Sequence, residues 1–152
     1  MTPTSLFSLQ PLTKRSEPAL SRLLVEGASR GPIVPGRWME AQLAGDGFFL
    51  LFITHDCPYE EQLDICLIDT GFAMLDDVSL CWMYSTGRFR NLTVRSDRIV
   101  AFNFYGGVRW VVEVLRAPVR HFPLLGGPKG VWRKFGFSRQ LAISTEPDAA
   151  EA

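Results

Sequence analysis

From Arg37 onward, apolar and polar residues alternate with a period close to two, and turn-forming residues recur every eight to fifteen positions. This is the strongest constraint in the chain, because successive strand residues point to opposite faces whereas an amphipathic helix needs a period near 3.6. It predicts an antiparallel β domain. The clearest unit is Ile99–Tyr105, Gly106-Gly107 and Val108–Leu115, since two adjacent glycines accept the positive φ angles of a two-residue hairpin turn. That register sets Tyr105 against Val108, Asn103 against Trp110, Ala101 against Val112 and Ile99 against Val114. A second two-residue turn at Ser96-Asp97 sets Val94 against Ile99 and Leu92 against Ala101, extending one apolar face across three strands of a meander.

An earlier hairpin joins Arg37–Ala44 to Phe48–Thr54 through Gly45-Asp46-Gly47; two-residue and three-residue loops both leave Met39, Ala41 and Leu43 opposite apolar partners. Gln62–Asp69 reads as a strand with Leu63, Ile65 and Leu67 on one side and Gln62, Asp64 and Cys66 on the other. Met74–Tyr84 supplies one or two more strands, and Val131–Ser144 a further pair. The expected fold is mainly β, an antiparallel meander of about seven to nine strands over residues 37–144, closed as a sandwich or small barrel. Residues 1–36 read as a wrapping segment with one short helix between Ser16 and Gly27. Pro18 would sit in its first turn, with Leu20, Leu23 and Leu24 on one face. The small, acidic residues 145–152 read as a loose tail, and Pro118–Gly130 as the one long irregular connection.

Composition narrows the class. With 152 residues, 47% hydrophobic and 21% charged, the chain is one domain's worth of an ordinary soluble globular protein and not a disordered, coiled-coil or collagenous one. Met1–Gln10 has no basic segment followed by an apolar one, and the longest apolar run, Phe48–Ile53, is six residues, so neither a secretion signal nor a membrane span is expected. Three cysteines, Cys57, Cys66 and Cys81, cannot all pair within the chain and lack the close spacing of a zinc or redox motif. Reduced thiols, and hence a cytoplasmic location, are the expectation.

Charge is segregated along the sequence. Glu40 to Asp77 holds nine acidic residues and no Lys or Arg, whereas Arg88 to Arg139 holds eleven basic residues against Asp97 and Glu113 alone. Either the two halves pair across neighbouring strands, or the folded surface keeps an acidic edge near Asp56–Asp64 and a basic one near Arg120–Arg139, each able to steer a charged partner.

No catalytic residue is assigned. Cys57 beside His55 and Asp56 offers a nucleophile, but the surrounding carboxylates disfavour a thiolate and Pro58 turns the chain away. Glu60 or Glu61 with Asp64 lacks the ligand order of a calcium loop, and His55 and His121 lack the spacing of a transition-metal site, so no metal or other cofactor is expected. Lys129–Arg139 interleaves rings and cations as single-strand nucleic-acid grooves do, yet one aromatic set is needed for the core, so nucleic-acid binding is not expected.

Two functional readings remain. The first is a non-enzymatic interaction module, of the kind an immunity-type inhibitor or small adaptor represents. It would contact a protein partner through Asp56, Tyr59, Glu60, Glu61, Asp64, Arg120, Arg133 and Lys134, with some of Trp38, Trp82, Trp110 and Trp132 in an interface patch. The second is a small-molecule-binding barrel or enzyme with a pocket lined by Asn103, Tyr105 and Trp110 and entered beside His55 or His121. Asn103, a polar residue on an apolar strand face, is its main clue.

Overall fold

The computed structural model describes residues 1–15, 17–57, 59–120, 127–134, 136 and 138–149. Among them every regular element is a strand: β1 (Thr2–Pro3), β2 (Phe7–Pro11), β3 (Leu20–Val25), β4 (Ile33–Pro35), β5 (Trp38–Ala44), β6 (Phe48–Thr54), β7 (Leu63–Asp69), β8 (Met74–Leu80), β9 (Arg90–Val94), β10 (Ile99–Asn103), β11 (Val108–Arg120), β12 (Val131–Trp132) and β13 (Ser138–Pro147). They form three open antiparallel sheets. A six-stranded sheet runs β1-β5-β6-β7-β8-β12, a four-stranded sheet β13-β11-β10-β9, and a three-stranded sheet β2-β3-β4.

The arrangement follows from β6 and β7. Phe48 to Ile53 is apolar at every position, and a strand of that kind has to be covered on both faces. Phe48, Leu50 and Phe52, with Leu63, Ile65 and Leu67, pack against Val100, Phe102, Trp110, Val112 and Val114 of the four-stranded sheet. The alternate residues Leu51, Ile53, Cys66 and Ile68 pack against Phe7, Leu23, Val25 and Val34 of the three-stranded sheet. Each such side chain taken fully out of water stabilises the fold by about 1.5–3 kcal/mol. The six-stranded sheet is therefore the centre of the molecule, with one core on each face.

The second core overturns two expectations. Of the sandwich and the small barrel expected, the open sheets among the described residues exclude the barrel, and the segment expected to hold a helix between Ser16 and Gly27 contains β3 instead. A stretch this short gains little from helical hydrogen bonds alone, whereas as a strand it pairs with β2 and β4 and sends Ser21, Leu23 and Val25 inward together. Leu20, assigned to the buried helix face, is exposed. Ser16 lies outside the described residues. Gly27 does end the element, at φ +78°, in the turn after β3. Gln42 ties the outer layer to the central sheet: its side-chain amide accepts from Phe7 N and donates to Phe7 O, both at 2.9 Å, as a strand neighbour would.

The meander of β9, β10 and β11 is present, with both its turns one residue longer than expected. Phe102 lies opposite Trp110 and Val100 opposite Val112, and Val100 is also opposite Val94. Both shifts act on the shared strand, so β10 turns over while β11 keeps its expected inward residues; in β9 Leu92 packs on the core, but Val94, expected on the same face, is 37% exposed. Val100 and Phe102, followed by Phe104, face the core; Ile99, Ala101 and Asn103 face away. The extra residue in the second hairpin is Tyr105, whose carbonyl accepts from Trp110 Nε1 at 3.1 Å. In the β5–β6 hairpin the loop is the two-residue Asp46-Gly47, with Gly45 under the Phe48 ring, where a Cβ would lie 2.2 Å from Cζ.

The segment expected to be loose from Thr145 continues β13 to Pro147, which lies opposite Val108. Arg95 of the β9–β10 turn pairs with Glu146 through both carboxylate oxygens, and that hydrogen bond holds the Glu146 carboxyl below its ordinary range. The pair is intact above the unfolded carboxylate pKa, and its contribution disappears as pH falls through the depressed folded value. Accordingly, Glu146→Gln should lower Tm at pH 7, and the gap from wild type should close in acid; a gap independent of pH would contradict the pairing.

Two-sided burial also separates the thiols. Cys66 is fully enclosed, and burial, followed by Asp64 and Asp77, pushes its pKa well above the ordinary thiol value; Cys57 is exposed and Cys81 intermediate. In the native protein a thiol reagent at pH 8 should modify Cys57 first, Cys81 more slowly and Cys66 only in denaturant. Modification of Cys66 as fast as Cys57 would contradict a covered second face.

Candidate functional site

The face of the central sheet that supports the three-stranded layer changes character along its length. Next to Leu51, Ile53, Cys66 and Ile68 it is apolar; beyond the cover it carries Asp64 of β7 and Asp77 and Ser79 of β8. Asp64 sits opposite Ser79, and its carboxylate accepts from Ser79 Oγ, from His55 Nε2 and from Gln62 Nε2 at 3.0 Å. Only 1% of Asp64 is exposed, so it is a buried junction and not part of the acidic contact edge expected from sequence. The order within this cluster matters chemically. Ser79 donates to Asp64 and not to the imidazole, so the Ser-His contact of a serine-histidine-carboxylate relay is not made here.

The loop from His55 to Gln62 is built around Glu61, whose carboxylate accepts from the backbone N–H of His55 (2.8 Å), Cys57 (3.2 Å) and Gln62 (3.1 Å). Glu61 thus holds the loop, while Glu60 and Tyr59 project into solvent, Tyr59 at 82% exposure. Asp56, at φ +61°, pairs with Arg15 at 3.3 Å.

The basic residues are partly neutralised by the acidic half. Arg133 reaches Asp76 at 3.4 Å, and Lys134 reaches Asp77 at 3.2 Å. The same Asp76 carboxylate accepts from the backbone N–H of Gln140 (2.7 Å) and Leu141 (2.8 Å), joining β8 to β13. Burial lowers the Arg133 pKa, with Asp76 opposing. Arg120 stands exposed near the end of β11.

Between the three-stranded layer and β12 a groove of about 390 Å³ has Asp64 and Ser79 on its floor, with Leu20, Ile33 and Trp132 among its walls. Strand register places its surroundings at one end of the central sheet, where Trp38, Thr54, Leu63, Leu80 and Val131 follow one another across neighbouring strands. Trp38 (57% exposed), Tyr59, Trp82, Met83, Tyr84 (91%) and Trp132 (63%) all belong to this end or to loops leaving it. Of the four tryptophans only Trp110 is core. Trp132 Nε1 donates to Cys81 O at 3.2 Å, which fixes the ring beside the Trp82–Tyr84 loop. Sequence periodicity had carried a strand through Tyr84; the run Ser85-Thr86-Gly87 was the signal that the chain leaves the sheet there.

The residues of the alternative pocket do not converge. Trp110 fills the core, His55 is held at Asp64, and His121 lies outside the described residues. Asn103 and Tyr105 do line one open recess of about 360 Å³ on the four-stranded sheet. Asn103 is satisfied there: its oxygen accepts from Asn91 Nδ2 (3.1 Å) and Arg109 Nη1 (3.0 Å), and its amide donates to Asp148 (2.6 Å). Burial pushes the Tyr105 hydroxyl up to about 12.

Among the described residues no group of three His, Cys, Asp or Glu side chains is disposed to hold a metal, and no helix is long and apolar enough to cross a membrane. Comparison with protein-family models, with curated proteins and with solved structures gives no match.

Removing the Asp64 carboxylate leaves three donors without their acceptor in a covered site. Asp64→Ala should therefore cost about 3 kcal/mol in urea unfolding, and Asp64→Asn, which keeps an acceptor oxygen, about 1 kcal/mol. Equal small losses in the two variants would remove Asp64 from its place as the junction.

Proposed function

We propose that this chain is a non-enzymatic protein-interaction module. It would bind a protein partner through the aromatic end of its central sheet, with Glu60 and Tyr59 of the His55–Gln62 loop at the rim. The observation that carries the reading is the gathering of Trp38, Trp82, Met83, Tyr84 and Trp132 in solvent at one end of the molecule, beside a groove walled by Leu20 and Ile33. Large exposed aromatics concentrated in one region are characteristic of binding surfaces, where a few Trp and Tyr side chains provide most of the affinity. The contact surface differs from the charged edge read from sequence. Glu61 and Asp64 serve the loop and the groove floor, and Arg133 and Lys134 answer Asp76 and Asp77, so charge at this end contributes orientation more than area. A cytoplasmic stoichiometric binder, such as an immunity-type inhibitor or a small adaptor, fits this surface.

The test is a paired pull-down from the native cell with wild-type protein, a Trp82→Ala/Trp132→Ala double variant and Glu60→Arg. Proteins retained by wild type should bind the double variant at least about tenfold more weakly, with the Glu60→Arg effect smaller and dependent on salt, while circular dichroism and Tm stay unchanged. The same partners recovered at the same yield from folded double variant would refute the assignment.

A further inference from the structure

The recess on the four-stranded sheet has a composition the interaction reading does not use. Its lining includes Arg90 of β9, Ser85 and Thr86 of the loop before it, and Gly106 and Gly107 of the β10–β11 turn. Arg90 lies directly across from Asn103 and is exposed, and among the described residues its guanidinium has no carboxylate partner and no hydrogen bond. The hydroxyls of Ser85 and Thr86 and the N–H groups of Gly106 and Gly107 are likewise uncommitted among the described residues. The side-chain amide and carboxylate oxygens beside the recess are engaged: Asn103 Oδ1 accepts from Asn91 and Arg109, and Asp148 accepts from the Asn103 amide. Both glycines adopt positive φ, +83° and +63°, which leaves the turn without Cβ atoms between its backbone and anything seated in the recess.

A cavity that offers a guanidinium, two hydroxyls and two backbone amides, with the Asn103 amide oxygen already occupied, complements a tetrahedral oxyanion. We propose that this recess binds a phosphate group, with Arg90 as its charge partner and Ser85, Thr86, Gly106 and Gly107 as neutral donors. The volume of about 360 Å³ exceeds what one phosphate fills, and the exposed Tyr84 ring at its edge provides a surface for the organic part of a phosphate monoester. Apart from the Tyr84 ring, which the aromatic end shares, the inference rests on different side chains from those of the proposed contact surface, and Arg90 with its neutral donors needs no protein partner.

Titration of the full chain with inorganic phosphate and, separately, with phenyl phosphate, followed by calorimetry and by amide shifts of Gly106 and Gly107, tests it. Saturable binding that moves both glycine amides, weakened at least tenfold by Arg90→Ala and measurably by Thr86→Val, is the expected result. Arg90→Lys should recover part of the affinity and Arg120→Ala should change nothing. Tighter binding of phenyl phosphate assigns the site to an ester, and equal or weaker binding assigns it to the free ion. Arg90 is an exposed edge-strand residue and its variants should keep the wild-type Tm; Thr86→Val probes the same recess without removing charge. Absence of saturation with both probes, or unchanged affinity in folded Arg90→Ala, would overturn the proposal.

Discussion

Two adjacent strands buried on both faces, β6 and β7, determine how the rest of the chain is arranged. A sheet with one apolar face needs one cover; this one has two, and the chain supplies a four-stranded sheet from its C-terminal half and a three-stranded sheet from its first 35 residues. Each cover is itself one-sided. Leu23, Val25 and Val34 reach in from one, and Val112, Val114 and Phe102 from the other, while Arg22, Arg109 and Glu113 stay on or near the surface. Four of the six edge strands are short or interrupted: β1 and β12 are two residues each, β4 ends at Pro35, and β9 is bent by Asn91 at φ +55°, all of which limit further pairing there.

The candidate site is a consequence of incomplete cover. Where the three-stranded layer stops, the second face of the central sheet meets water, and its side chains change from Cys66 and Ile68 to Asp64, Asp77 and Ser79. Asp64 can remain inside because His55, Gln62 and Ser79 all serve it, and a buried carboxylate with three donors avoids the cost of an unpaired charge. Around that polar floor the loops at the same end hold their rings outward, so a firm, charge-balanced base carries an apolar rim. Rigid strands positioning exposed aromatic side chains suit recognition of another surface.

Much of this was legible in the sequence, and the losses have definite causes. Alternation placed β5 and β7 and the inward residues Leu63, Ile65 and Leu67, because burial on a sheet face leaves a period-two record, while β6 was marked by its unbroken apolar run after the Gly45-Asp46-Gly47 turn. The same rule failed for β10 because Val100 to Phe104 contains Val, Ala, Phe, Asn and Phe, apolar on both sides, so turn length alone set the register and each turn had one residue more than its shortest form. The leucines of β3 misled for a related reason: Leu20, Leu23 and Leu24 fit a helical stripe, and only a second covered face elsewhere in the chain makes a strand there worthwhile. Of the expected contact residues, Tyr59 and Glu60 stand at the surface, while Asp64 was misplaced because composition cannot tell a solvated carboxylate from one that three donors enclose.

Hydrogen exchange of the native protein tests the organising claim most directly. If β6 and β7 are covered on both faces, the amides of Leu51, Phe52, Ile65 and Cys66 should exchange only through global unfolding and match the free energy from denaturant titration, while those of β4 and β9 exchange through local opening. Protection at β6 and β7 no greater than at β9 would show a central sheet open to water on one side, and the three-layer account would fail.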